Sequence, residues 1–216
     1  MVDRIHPTFA LHTQTSTRWS TVRPPLAQMP TDLLHILVPD PEWPWFGGDW
    51  DQLHIRLAVG YTGDKLWKEA FESNHDLHTL TACELFQVPI PPDKCDPHTS
   101  AACAGWRAAC GWKGKDDPRR SVAKRYVYRL LKGGDPYKEP TSIPGIEALG
   151  LDTRLIKQSG INWAHQHPAV VAWLESLRKQ CRLTGEVRDY RGARRRFSER
   201  SKHAERAACD FPTQSG

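Results

Sequence analysis

The sequence predicts an α+β fold, and three observations carry that expectation. Two segments, 117–132 and 168–183, repeat apolar residues at helical spacing and stop at Gly133-Gly134 and Gly185. Short strand-like runs, Leu33 to Val38, Glu186 to Tyr190 and Arg195 to Phe197, stand far apart in the chain. The chain has 216 residues, enough for one medium domain or two small ones, with no internal repeat.

The remaining elements follow in order. Residues 1–30 are polar, without periodicity. Leu33 to Val38 is closed by Pro39-Asp40-Pro41. Trp45 to Asp49 reads as a strand-like approach weakened by Gly47-Gly48. Leu53 to Val59 starts a helix that Gly60 to Gly63 is expected to break. Residues 64–72 and 75–86 read as two helices, and 87–115 as loop with a short helix at 99–110. For the helix at 117–132, Asp116 or Asp117 supplies the cap and Pro118 suits the first turn. Val171, Leu174 and Leu177 share one face of 168–183. Residues 186–190 and 195–197, joined through Arg191-Gly192, predict a hairpin, and 201–209 a last helix.

Composition narrows the function classes. Hydrophobic residues make up 39% and charged residues 25%, which suits a soluble globular chain and not a wholly disordered one. No apolar run approaches the roughly 20 residues that span a bilayer, so no membrane is expected. Met1 to Gln14 has no apolar core of a secretory signal. The six cysteines form no CxxC pair and are read as intracellular thiols, so an intracellular location is expected. Net charge is +5, unevenly spread: Arg188 to Arg206 holds eight Lys or Arg against three acids. That density can neutralise a polyanion, so nucleic acid enters as a partner class; a solvated surface accounts for it equally well.

Three groups of residues carry chemistry. Arg120, Lys124 and Tyr128 are four apart, so on a helix they fall within about 80° of one another. A guanidinium, an ammonium and an aromatic plane on one face suit a nucleoside triphosphate. An exposed basic helix with a half-buried tyrosine would show the same spacing. Asp49 ends a candidate strand, where a carboxylate is held rigidly and can bind Mg²⁺. After Gly-Gly it also fits a turn. His75-Asp76-Leu77-His78 has too little ligand spacing for zinc; Asp76 suits a helix start and His78 a phosphate contact or polar surface group.

Taken in order, these residues resemble the polymerase region of family A DNA polymerases, the DNA polymerase I type. Asp49-Trp50-Asp51-Gln52-Leu53-His54-Ile55-Arg56 is similar to that family's first polymerase motif. Asp76-Leu77-His78-Thr79 looks like its Asp-Ile-His-Thr stretch. Arg120, Lys124, Tyr128 and Lys132-Gly133 follow the spacing of its fingers helix. Ser16 to Thr21 and Pro24 to Pro30 look like its Thr-Gly-Arg-Leu-Ser-Ser and Pro-Asn-Leu-Gln-Asn-Ile-Pro segments. Val38-Pro39-Asp40-Pro41 sits where the family has a similar turn. Glu205 to Gln214 looks like Glu-Arg-Ala-Ala-x-Asn-x-Pro-x-Gln. The matches run in order from about residue 12 to residue 216.

The resemblance implies a DNA-directed DNA polymerase acting in replication or repair, with Mg²⁺ as cofactor and primer-template DNA and deoxynucleoside triphosphates as partners. Asp49 and the Trp50 carbonyl would hold the metal in a two-Mg²⁺ nucleotidyl transfer to a primer 3′-hydroxyl. Arg120, Lys124 and His78 would bind the triphosphate, with Lys124 also protonating the leaving group. Tyr128 would stack on the incoming nucleotide, beside Gln52 and His54 in its pocket. Arg18 and Gln214 would touch the minor-groove edge, and Arg206 with the 188–200 run the DNA backbone. Residues 1–60 would form the N-terminal part of a palm, 61–165 the fingers, and 166–216 a returning palm segment. A partial antiparallel palm sheet would come from residues near 30–50 and 185–198.

The departures from the pattern also carry implications. The family's second catalytic carboxylate lies in a His-Asp-Glu motif beyond the residue matched by Gln214. The resemblance therefore implies a palm and fingers fragment, one part of a split polymerase with a complementary chain, or an inactive remnant that binds DNA or nucleotide. His54 stands for a Glu that screens against ribose, Lys132 for an aromatic ring, and Asp210 for an Asn near the template.

Overall fold

The computed structural model describes residues 4–11, 14, 18–39, 42–44, 46, 48, 50–92, 96–136, 138, 143, 146, 149, 150, 153–199 and 201–215. Among these, eight α-helices and two short antiparallel sheets form the fold, so the α+β expectation holds. In the first sheet β1 (Thr8–Ala10) pairs with β2 (Ser20–Val22), Thr8 opposite Val22. The helices α1 (Leu53–Thr62), α2 (Lys65–Glu72), α3 (Leu77–Leu85), α4 (Ala104–Cys110), α5 (Pro118–Leu131), α6 (Thr153–Gln166) and α7 (Pro168–Thr184) follow. The second sheet pairs β3 (Glu186–Arg188) with β4 (Arg194–Arg196), Glu186 opposite Arg196, and α8 (Lys202–Ser215) closes the order. No helix among the described residues is long and apolar enough to cross a membrane.

The core gathers where the helices meet. α5 buries Val122, Ala123, Tyr126, Val127, Leu130 and Leu131. That is one helical stripe, on the side away from Lys124. Ile55 and Ala58 of α1, Trp163 of α6, Val170 and Leu174 of α7, and Phe211 of α8 join the same cluster. Polar caps fix the helix starts. Asp117 Oδ1 accepts from Arg119 N at 2.9 Å, with Pro118 in the first turn, as predicted. Asp64 Oδ1 accepts from Trp67 N at 3.0 Å and its carboxylate also meets His167 Nδ1 at 3.0 Å, joining the starts of α2 and α7. The His167 ring lies between Trp67 and Trp163, at centroid distances of 4.8 and 4.9 Å.

The end of α5 is set by two paired hydrogen bonds: Gly134 N donates to Arg129 O at 2.8 Å and Gly133 N to Leu130 O at 2.9 Å. This is a Schellman stop, with Gly133 at φ 76°. Arg178 of α7 donates to Gly133 O at 3.0 Å, and α8 crosses close by. The turn therefore locks α5 to both later helices.

Several expectations are corrected. Leu33 to Val38 is not a strand; Thr31–Ile36 is a 3₁₀ helix. No strand partner lies beside it among the described residues, and its amides bond locally, Leu33 N to Pro30 O at 2.9 Å. The sheet expected from 30–50 and 185–198 is thus two separate hairpin-like pairs, one of them in the N-terminal stretch where no periodicity shows. Trp45, Gly47 and Asp49 of the strand-like approach lie outside the described residues. α1 continues through Gly60 to Thr62. A mid-helix glycine costs about 1 kcal/mol, which burial of Ile55 and Ala58 offsets. α8 runs past 209 to Ser215 through Pro212, because Phe211, Pro212 and Thr213 bury there. Cys83, Cys110, Cys181 and Cys209 are thiols outside any disulfide, as read. Cys103 is disulfide-bonded and fully buried, which corrects the reading of all six as thiols; spacing does not register which loop brings a second sulfur to it.

Gly133→Ala is expected to destabilise the fold by about 2 kcal/mol or more in denaturant unfolding. A Cβ there meets Cys209 Cβ at 3.0 Å and Arg206 Cα at 3.2 Å, on a backbone an L side chain adopts only with strain. An unchanged unfolding midpoint would mean that α8 does not pack on this turn.

Candidate functional site

The site is built on the start of α3. Asp76 caps that helix: its Oδ2 accepts from Thr79 N at 3.0 Å and Thr79 Oγ1 at 2.6 Å. Gln52, just before α1 and 8% exposed, brings Oε1 to Leu77 N at 3.1 Å. Two side chains from different parts of the chain thus satisfy amides that a helix start leaves open. Arg120, in the first turns of α5, closes the junction. Its Nε donates to Asp76 Oδ2 at 2.7 Å and its Nη2 to Asp76 Oδ1 at 3.1 Å. His98 Nε2 lies 3.3 Å from the same Oδ2, at ion-pair distance without an aligned hydrogen bond. Burial alone would raise the Asp76 carboxyl, but His98, Arg120 and Thr79 hold it far below the usual carboxylate range.

One turn further along α5 lies an open cleft of about 990 Å³. Lys124 and Tyr128 line it with Ser121, Arg125, Arg129, Lys132, His54 of α1 and Gln214 of α8. The Tyr128 ring meets two histidines. His54 meets it edge-on at 5.6 Å between centroids, and His78 meets it tilted, also at 5.6 Å. Lys124 Nζ lies 6.0 Å from the Tyr128 centroid. Arg18 bridges the rim: Nη2 is 2.8 Å from His54 Nε2, and Nε donates to Gln214 O at 2.9 Å. An arginine only donates, so His54 accepts at Nε2 and carries its proton on Nδ1 when neutral. Burial, and then the Arg18 charge, lower the His54 pKa. His78 is 2% exposed, and burial pushes its pKa down to about 4. The cleft thus offers several cations over an aromatic floor flanked by neutral imidazoles, an arrangement suited to a polyphosphate that carries a ring.

The structure brings Lys124, Tyr128, His54, Gln214 and Arg18 together, with His78 buried against Tyr128. It turns Arg120 away, into a neighbouring cleft of about 220 Å³ lined also by Asp76, His98, Arg56 and Lys115. Gln52 is spent on α3. Arg206 is exposed on α8, and Trp50 is 77% exposed. Asp49 lies outside the described residues. Among those residues, no three His, Cys, Asp or Glu side chains gather as a metal site requires. Asp76, Arg125 and Arg129 escaped sequence reasoning as site residues. The two arginines recur four apart, one position after Lys124 and Tyr128, which is the signal that would have found them.

The buried His78 makes stability depend on pH. Its pKa is about 4 when folded against 6.5 as its ordinary value. Between these, the unfolded chain binds the proton and the folded chain does not, so stability falls as pH drops from about 6.5 to 4. Urea unfolding at pH 7 and pH 5 is expected to show this loss in the wild type and a smaller one in His78→Gln. Equal losses in both proteins would mean that His78 is not held neutral.

A family model described as DNA polymerase family A matches residues 1–104. The chain is 24% identical over 216 residues to DNA polymerase I of Chloroflexus aurantiacus, covering 96% of this chain and 20% of that protein. It is 26% identical over 202 residues to a thermostable DNA polymerase I of Thermus thermophilus, covering 89% and 20%. Against the chloroplastic/mitochondrial DNA polymerase I A of Arabidopsis thaliana, identity is 25% over 231 residues, covering 98% and 21%. The chain therefore spans about a fifth of the length of these relatives. In fold it is similar to the POL domain of Pol1 from M. smegmatis, solved with DNA primer-template and dNTP. The TM-score is 0.70 and the identity 23%, over 98% of this chain and 35% of that one. By family model, by sequence and by fold, the chain is similar to the family A DNA polymerases.

Proposed function

We propose that this chain serves template-directed nucleotidyl transfer to a primer 3′-hydroxyl, as the palm and fingers part of a family A type DNA polymerase. The cleft that joins Lys124 and Tyr128 of α5 to His54 and Gln214 carries the reading, because segments from three parts of the sequence converge there. The relatives are DNA polymerases, and the similar POL domain was solved with primer-template and dNTP. In this reading residues 1–60 and 166–216 act as palm and 61–165 as fingers.

The roles follow from chemistry. Lys124 neutralises the triphosphate and gives a proton to the departing pyrophosphate oxygen. Tyr128 offers its ring to the incoming base with His54 beside it, and Gln52 acts behind them by holding the start of α3. His78, buried against Tyr128, supports that ring from behind the cleft. Arg18 and Gln214 meet the minor-groove edge of the primer end. Arg206 and the basic run 188–200 meet phosphates of the duplex, a salt-sensitive and sequence-independent contact. Asp49 and the Trp50 carbonyl would hold Mg²⁺, which when bound would supply positive charge to the reacting phosphate.

A second reading is a binding remnant or one part of a split polymerase. Exposed Val38, Trp43 and Phe46, at 81%, 73% and 94%, would suit an apolar surface on a complementary chain. Single-nucleotide primer extension separates the readings. Extension by the wild type is expected, with loss of at least about 100-fold in Asp49→Ala and about 10-fold or more in Lys124→Ala and Tyr128→Ala. Salt-dependent DNA binding without extension by any of these proteins would favour the second reading.

A further inference from the structure

Arg120 and Lys124 lie one helical turn apart, a rise of about 6 Å, yet they line different clefts. Lys124 faces the nucleotide cleft. Arg120 lies over Asp76 in a two-point fork. We propose that Asp76 sets how readily the nucleotide cleft takes a triphosphate, by holding Arg120 out of it. This inference rests on the function proposed above.

The argument turns on which partner is anchored. Asp76 is fixed by its cap to Thr79 N and by the Thr79 hydroxyl. It cannot leave without opening the start of α3. Arg120 is tethered by a long, flexible stem, so it is the partner that moves. Their side chains are only 10% and 14% exposed, so solvent screens the pair less than a surface ion pair. A phosphate presents oxygens to a guanidinium in the same forked geometry as a carboxylate. Triphosphate and Asp76 therefore compete for one group.

His98 completes the arrangement. Its side chain is 5% exposed and its Nε2 lies 3.3 Å from Asp76 Oδ2. When Arg120 swings toward the cleft, His98 and Thr79 remain with the carboxylate, and the buried charge is not left alone. The cost of breaking the fork is subtracted from what Arg120 gains on phosphate. Arg120 then adds little net affinity while Asp76 is charged, and much when it is not.

Asparagine caps a helix as well as aspartate does, so Asp76→Asn removes the charge while keeping the cap. The probe is dATP, titrated calorimetrically into the folded protein without primer-template. Asp76→Asn is expected to bind dATP about 10-fold more tightly than the wild type. The gain should vanish in Asp76→Asn/Arg120→Ala. In the wild-type background, Arg120→Ala should weaken binding less than about 3-fold and Lys124→Ala by about 10-fold or more. Wild-type binding with no gain in a folded Asp76→Asn overturns the inference alone. Should Asp76→Asn fail to fold, the single variants decide: a loss in Arg120→Ala as large as in Lys124→Ala overturns the inference. No dATP binding by the wild type overturns the nucleotide reading and the inference with it.

Discussion

The contact between α3 and α5 is the constraint on which the site depends, and its anchor is the capped start of α3. Asp76 there serves as helix cap, as partner to the Arg120 guanidinium and as neighbour to His98. Hydrogen bonds to a buried charge are stronger than those between neutral groups, and a carboxylate left unpaired in this position would be costly. The cap thus orients α3, and the ion pair sets α5 against it. Gln52 ties the segment before α1 into the same junction through Leu77 N. Once these three segments are joined, His54, His78 and Tyr128 have one arrangement.

α5 divides its labour by face. Val122, Tyr126 and Leu130 bury into the core, while Lys124 and Tyr128 look out over the cleft. The same helix therefore supplies rigidity and chemistry. Its Schellman stop matters as much as its faces. Arg178 holds the turn at Gly133, and α8 packs against that glycine with no room for a side chain. This close approach carries Gln214 to the cleft, where Arg18 joins its backbone oxygen to the His54 ring.

The electrostatics have a consistent logic. The cations Lys124, Arg125, Arg129 and Lys132 line open space, where water solvates them cheaply. The histidines behind them are kept neutral, His54 by burial and Arg18, His78 by burial. Neutral imidazoles do not add to the repulsion among the cations, so positive charge concentrates where an anionic ligand would arrive.

The sequence by itself determined what depends on near neighbours. Helices α2, α3, α5 and α7, the Asp117 cap, the Gly133-Gly134 and Gly185 stops and the 186–196 hairpin are local patterns, and all are present. The row Arg120, Lys124, Tyr128 is likewise a matter of helical period. α6 was not legible, because its buried stripe of Ile156, Ser159, Gly160, Trp163 and Ala164 puts small residues where a hydrophobic pattern expects large ones. Only the tertiary structure decided where long side chains point. Asp76, 44 residues away from Arg120 in sequence, draws that guanidinium off the shared face. Tertiary burial also carried α8 through Pro212. In each case the deciding partner is distant in sequence, and local propensity carries no record of it.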